Sequence, residues 1–138
     1  MDKALNYLAL AKKGRLIELG EEPVGAITRA VKGRLVIVAA NASDHTWRRA
    51  RSFVAGTDQQ CLRVPFTKEE LGFVVGRTSL AIAAFTDAAM ALAFVKALPD
   101  QEKVKEVREN LEAKSKKLRQ RKDEAKAHER NVRLGKKK

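Results

Sequence analysis

The segment Leu35-Val36-Ile37-Val38-Ala39-Ala40 limits the choice of fold more than any other part of the chain. It is an unbroken apolar run, β-branched at Val36, Ile37 and Val38. It is too short to span a bilayer and too uniform for a strand with one wet face. A strand buried on both faces fits it. Such a strand needs helices on both sides of its sheet, and helical patterns lie before Gly33 and after Ser43. The run ends in Asn41-Ala42-Ser43-Asp44, residue types that turn a chain and cap a following helix. In open α/β sheets, binding sites collect at such strand ends.

The remaining elements can be read outward from this strand. Ala4, Leu5, Leu8 and Ala11 recur at helical spacing, and Gly14 ends that helix with Lys12 and Lys13 in its last turn. Arg15 to Leu19 reads as a short strand. Gly20-Glu21-Glu22-Pro23 leads into a second helix with Pro23 at its first position. Its expected apolar face is Val24, Ile27, Ala30 and Val31, and Gly33 is its expected end. A third helix runs from about Asp44 to Val54 and carries Arg48, Arg49 and Arg51. Cys61-Leu62-Arg63-Val64 is a strand that Pro65 stops. Thr67 and Glu70 form a capping box for a short helix ending at Gly72 or Gly76. Leu80 to Phe85 is a second buried strand, and Thr86-Asp87 opens a helix with Ala88, Met90, Ala91, Phe94, Val95 and Leu98. This alternation predicts an α/β fold, a three-layer α/β/α sandwich with a four-stranded mixed sheet.

Composition changes at Pro99. Residues 99–138 hold 15 Lys and Arg against 8 Asp and Glu, a net of +7 out of the chain's +12. The division expected is a domain over 1–98 and a basic helical or disordered tail over 99–138. Val104, Val107, Leu111 and Leu118 give the tail one thin apolar stripe, enough to lay its start on the domain. Gly135-Lys136-Lys137-Lys138 is expected to be mobile. A charge this far from neutral favours polyanionic partners, nucleic acid before an anionic membrane. Cys61 is the single cysteine, so no internal disulfide forms, and the cytosol is the expected compartment. Met1 to Ala4 lacks a signal-peptide core, and no apolar run reaches transmembrane length, so no membrane partner is expected.

Nothing in the sequence advertises catalysis. The two histidines, His45 and His128, stand in a turn and in the tail. There is no serine nucleophile motif, no metal-ligand spacing and no phosphate-binding glycine fingerprint. Glu21-Glu22 and Glu69-Glu70 are adjacent pairs, which diverge on a helix and suit dipole and capping roles. Cys61 reads as a small buried residue rather than a nucleophile. The expectation is a non-enzyme without metal or cofactor.

The binding residues read differently. Gly20-Glu21-Glu22-Pro23 is either an ordinary strand-to-helix turn or a nucleic-acid contact. In the second case glycine permits close approach, the helix start presents N–H groups, and carboxylates accept from base amino groups. Lys12, Lys13 and Arg15, then Arg29, Lys32 and Arg34, then Arg48, Arg49, Arg51 and Arg77 are solvated charges singly and a phosphate-binding face together. Trp47 covers the sheet or stacks on a base.

In order and spacing, these motifs resemble the kink-turn-binding ribosomal protein family, most closely its small bacterial members of YlxQ and YbxF type. The resemblance spans roughly residues 3 to 97. It rests on Leu8-Ala9-Leu10-Ala11-Lys12-Lys13-Gly14-Arg15-Leu16, on Gly20-Glu21-Glu22, and on Leu35 through Ser43. Lys68-Glu69-Glu70-Leu71-Gly72, Gly76-Arg77 and Phe85-Thr86-Asp87 complete it. It implies a non-catalytic domain that binds structured RNA, ribosomal RNA first, in company with ribosomal or other ribonucleoprotein proteins. In the family a Gly-x-Asn-Glu-x-x-Lys motif opens the second helix and reads sheared guanine–adenine pairs. Gly20 matches its glycine, while Glu22, Pro23 and Ala26 stand at the Asn, Glu and Lys positions. Arg29 and Lys32, further along, can replace that lysine. The loop at Gly76-Arg77-Thr78 corresponds to the family's second RNA-contacting element. The expected RNA-binding set is therefore Lys12, Lys13, Gly20, Glu21, Glu22, Arg29, Lys32, Arg77 and Thr78. The competing expectation is a protein–protein adaptor or assembly factor that kept the fold and lost specific RNA recognition.

Overall fold

The computed structural model describes residues 2–133, with side chains through residue 127. In chain order the elements are α1 (Lys3–Lys13), β1 (Ile17–Leu19), α2 (Glu21–Arg29), β2 (Leu35–Val38), α3 (Asp44–Val54), β3 (Cys61–Arg63), α4 (Lys68–Val75), β4 (Ile82–Phe85), α5 (Ala88–Lys96) and α6 (Lys105–Arg133). The strands form one open mixed sheet in the order β1-β4-β2-β3. β4 lies antiparallel between β1 and β2, and β2 runs parallel to β3. Every residue of β2 and β4, the two inner strands, is buried. That is why both read as continuous apolar runs rather than alternating ones. α2 and α3 pack together over one side, α1 packs on α4 and α5, and α6 packs on α5. The predicted α/β sandwich with a four-stranded mixed sheet is what the chain adopts.

Local chemistry sets most helix starts. Ser43 Oγ accepts from the Thr46 N–H, Asp87 accepts from the Met90 N–H, and Thr67 with Glu70 completes the capping box. α4 ends on Gly76, in the left-handed conformation at φ 77°, the choice glycine makes without steric cost.

α2 departs from expectation at both ends. It begins at Glu21 rather than Pro23, and it stops at Arg29 rather than running to Gly33. Val31 takes the left-handed conformation at φ 56°. Its N–H donates to the Thr28 carbonyl, and the Lys32 N–H donates to the Ile27 carbonyl. That bond pair is a Schellman ending. α1 ends the same way, with Arg15 at φ 58° and the Leu16 N–H on the Ala11 carbonyl. In each case the left-handed residue is not the nearby glycine. The core face of α2 is Val24, Gly25 and Thr28, while Val31 is 50% exposed. The Thr28 hydroxyl is satisfied inside the helix by the Val24 carbonyl at 2.9 Å. Buried Gln59 accepts from the Gly33 N–H and donates to the Thr28 carbonyl and Thr57 Oγ1. It thereby ties the α2–β2 turn to the α3–β3 loop.

α6 does more than lie on the surface. Val104 and Leu111 are buried and belong to the same cluster as the sheet residues, with Val107 packed beside them. Lys114 Nζ donates to the Asp58 carbonyl at 3.1 Å and lies 3.6 Å from its carboxylate. Beyond Ser115 the described side chains are exposed, although the helix continues to Arg133. The mobility expected for Gly135–Lys138 lies outside the described residues.

Candidate nucleic-acid interface

Strand direction sorts the loops into two groups. At the start of β4, the Gly20 N–H donates to the Ile82 carbonyl at 3.0 Å and the Ala39 N–H to the Ala81 carbonyl at 2.9 Å. The β1–α2 junction, the β2–α3 junction and the α4–β4 loop therefore meet at that end of the sheet. At the other end of β4, the Thr86 N–H donates to the Leu16 carbonyl and the Arg34 N–H to the Phe85 carbonyl. The turns closing α1 and α2 meet there.

The first end holds Gly20 at φ 97° and ψ 160°, a conformation that L side chains rarely adopt. This geometry lets α2 start without a capping side chain. Such a helix start presents unsatisfied backbone N–H groups and the positive end of the helix dipole. The Arg77 guanidinium comes within 3.6 Å of where a Gly20 Cβ would lie. Arg77 is delivered by the tight fold of its loop onto α4. The Arg77 N–H donates to the Gly72 carbonyl at 2.8 Å, and the Leu80 N–H to the Lys68 carbonyl at 2.9 Å. A Cβ on Gly72 would meet Ser79 backbone at 2.7 Å and the Arg77 carbonyl at 2.8 Å, so only glycine permits this approach. Thr78 is exposed in the same loop.

Between α2 and α3 lies a cleft of about 310 Å³ lined by Glu21, Glu22, Gly25, Arg29, Arg49 and Phe53. Arg49 Nε donates to Glu21 Oε1 at 2.6 Å, and its guanidinium lies 5.0 Å over the Phe53 ring. Both partners of the pair are well exposed, so it adds little stability. Its effect is to hold Arg49 in the cleft and cancel one carboxylate. Arg29 reaches back along its helix until Nη1 is 3.2 Å from the Gly25 Cβ position, as helical side chains lean toward the N-terminus.

The structure thus brings together Gly20, Glu21, Glu22, Arg29, Arg77 and Thr78. Lys12, Lys13 and Lys32 lie in or beside the turns at the opposite end. Arg34 and Arg15 are with them. Phe53 joins this cleft unannounced by any motif; its one sequence signal is the i,i+4 spacing to Arg49. Trp47 belongs to the partly buried shell of the core. The Arg63 guanidinium lies 5.3 Å over its ring and donates to the Ala40 and Ala42 carbonyls.

Burial pushes the Cys61 thiol above its ordinary value, and the nearby Arg51 charge offsets part of that rise. A raised thiol holds less thiolate at neutral pH and is a poorer nucleophile. Among the described residues, no group of three or more His, Cys, Asp or Glu side chains is placed to hold a metal ion. No helix among them is long and apolar enough to cross a membrane.

No protein-family model matches the sequence, and no curated protein matches it. Solved structures do. A protein of unknown function from Bacillus halodurans superposes with a TM-score of 0.66 at 22% identity, covering 72% of this chain and 100% of that one. The Giardia lamblia 15.5kD RNA binding protein superposes with a TM-score of 0.57 at 16% identity, covering 69% of this chain and 81% of that one. At these identities the likeness is one of fold. One structural neighbour is thus an RNA-binding protein.

Proposed function

We propose that this protein binds structured RNA without catalysing a reaction on it, through the surface that corresponds to the RNA site of the kink-turn-binding ribosomal proteins its sequence resembles, but without their preference for the kink. The observation that carries the reading is the junction of Gly20 with Arg77. An uncapped helix start, a backbone with no side chain in the way and a guanidinium stand side by side. The N–H groups at the α2 start take a phosphate oxygen, and Arg77 takes a phosphate as a planar fork. Glu22 accepts from a base amino group, Thr78 donates to the sugar–phosphate chain, and Arg29 meets the strand passing over the cleft. Lys12, Lys13 and Lys32 serve RNA that continues past the opposite end of the sheet. Residues 1–98 supply this surface, and residues 99–138 add sequence-independent charge. Ribosomal RNA or another structured cytoplasmic RNA, in company with ribonucleoprotein proteins, fits this chemistry. The resemblance to an RNA-binding fold supports it as well.

Titration of a kink-turn RNA and an unkinked duplex of equal length, at one fixed salt, tests the reading. Wild type should bind both with similar affinity, because Pro23 and Ala26 lack the carboxylate and ammonium that discriminate in the resembled family. Arg77→Gln should weaken both about tenfold, the loss of roughly 1.4 kcal/mol. Failure of the wild type to bind either RNA at low salt would refute the proposal.

A further inference from the structure

α6 changes character along one face. Val107 and Leu111, with Val104 just before the helix, turn toward the core. Continuing at three- and four-residue spacing, the same face then carries Lys114, Lys117, Leu118 and Arg121. These residues, with Arg34 at the start of β2 and Asp58 before β3, line a trough of about 220 Å³. The trough lies at the end of the sheet away from Gly20, because Arg34 bonds to the last residue of β4.

The charges in the trough do not balance. Asp58 is engaged by Lys114. Among the described residues, Arg34, Lys117 and Arg121 have no carboxylate partner. Lys117 and Arg121 are four apart on one helix and repel each other. A helix face that turns from apolar to cationic while still against the domain keeps three like charges converging on one opening. Their repulsion is relieved by an anion that carries several charges in a row.

We infer that the trough formed by Arg34, Lys117 and Arg121 is a second phosphate-binding site, which grips the backbone of the same RNA at the end of the domain opposite Gly20 and Arg77. This rests on the RNA-binding reading above and adds a separate site to it. The ligand chemistry is successive phosphodiesters rather than a single phosphate ion. Three unpaired cations on two elements line the trough, and Arg34 stands at the sheet end where the basic turns that hold Lys32 and Arg15 meet.

The test uses the full chain and one RNA hairpin, titrated across a salt series. Lys117→Gln with Arg121→Gln alters only exposed side chains, so folding is kept, and melting curves check it. This double variant should reduce the slope of log K against log salt by about two units, and Arg34→Gln by about one. Arg77→Gln should weaken binding by the same factor in wild type and in the double variant, since distant sites add. Wild-type slopes in both the double variant and Arg34→Gln would overturn this inference and leave RNA binding standing. Complete lack of RNA binding by wild type would overturn both readings. Inorganic phosphate raising the wild-type melting temperature, with RNA slopes unchanged in the variants, would make the trough a small-anion site and overturn the inference too.

Discussion

The two ends of the sheet share α2 and carry different chemistry. At the Gly20 end α2 and α3 begin, and the residues there include Glu21, Glu22 and Asp44. At the far end α1 and α2 stop, and the residues include Lys12, Lys13, Arg15, Lys32 and Arg34. In α1, α2 and α3 this follows the helix dipole: carboxylates near N-termini, cations near C-termini. The consequence is a division of labour. The Gly20 end offers shape and hydrogen-bond donors with little net positive charge, suited to reading a local geometry. The far end offers charge with little geometry, suited to holding a backbone. Under the proposed function, net charge alone would direct attention to the far end, and family resemblance alone to the Gly20 end.

The largest effect that separates the ends should come from Leu111, fully buried on the inner face of α6. Leu111→Ala should cost about 2–5 kcal/mol in denaturant unfolding. Because α6 carries Lys117 and Arg121, the salt slope should also fall, while the penalty of Arg77→Gln stays the same. Equal damage to both functions would mean the ends are mechanically one. Gly72→Ala strikes the other end. Its Cβ would push into the Arg77–Ser79 backbone, at a cost of about 1–3 kcal/mol. Its RNA affinity should drop to that of Arg77→Gln, with only about one unit lost from the salt slope. If affinity is unchanged, Arg77 does not act from the position the loop gives it. The smallest effect should come from Val31. Relieving a left-handed β-branched residue by Val31→Gly should raise stability by about 0.5–1 kcal/mol without altering RNA binding. A melting temperature that falls instead would show that the Val31 side chain contributes more than its strain costs.

What sequence could reveal follows the range of the interactions involved. The Leu35–Ala40 run, the Ser43 and Asp87 caps and the Thr67–Glu70 box depend on neighbours a few residues away, and each was legible. The end of α2 was not, because rules of thumb assign left-handed positions to glycine and Gly33 stood two residues past Val31. Its N–H is instead claimed by Gln59, 26 residues later. The α6 stripe was visible as spacing, but the full burial of Leu111 depends on α5 beneath it. The candidate site divided in the same way. Gly20, Glu21, Glu22, Arg77 and Thr78 could be named from local pattern and resemblance. That Lys12 and Lys32 face away from them follows from β4 lying between β1 and β2, a register no local pattern encodes. The Arg49–Glu21 contact spans 28 residues and was unreadable for the same reason.

The burial of Leu111 also sets a schedule for synthesis. β1 pairs with β4, the last strand made, and β2 lacks its β4 neighbour until then. At typical elongation rates, on the order of ten seconds separate the appearance of Ile17 from that of Leu111. Until Phe85 is made the most apolar stretch of the nascent chain lacks its β4 partner, and until Leu111 is made α5 lacks the helix that packs on it. The chain therefore completes its core late, and the positively charged half of α6 is the part that emerges after the core can close.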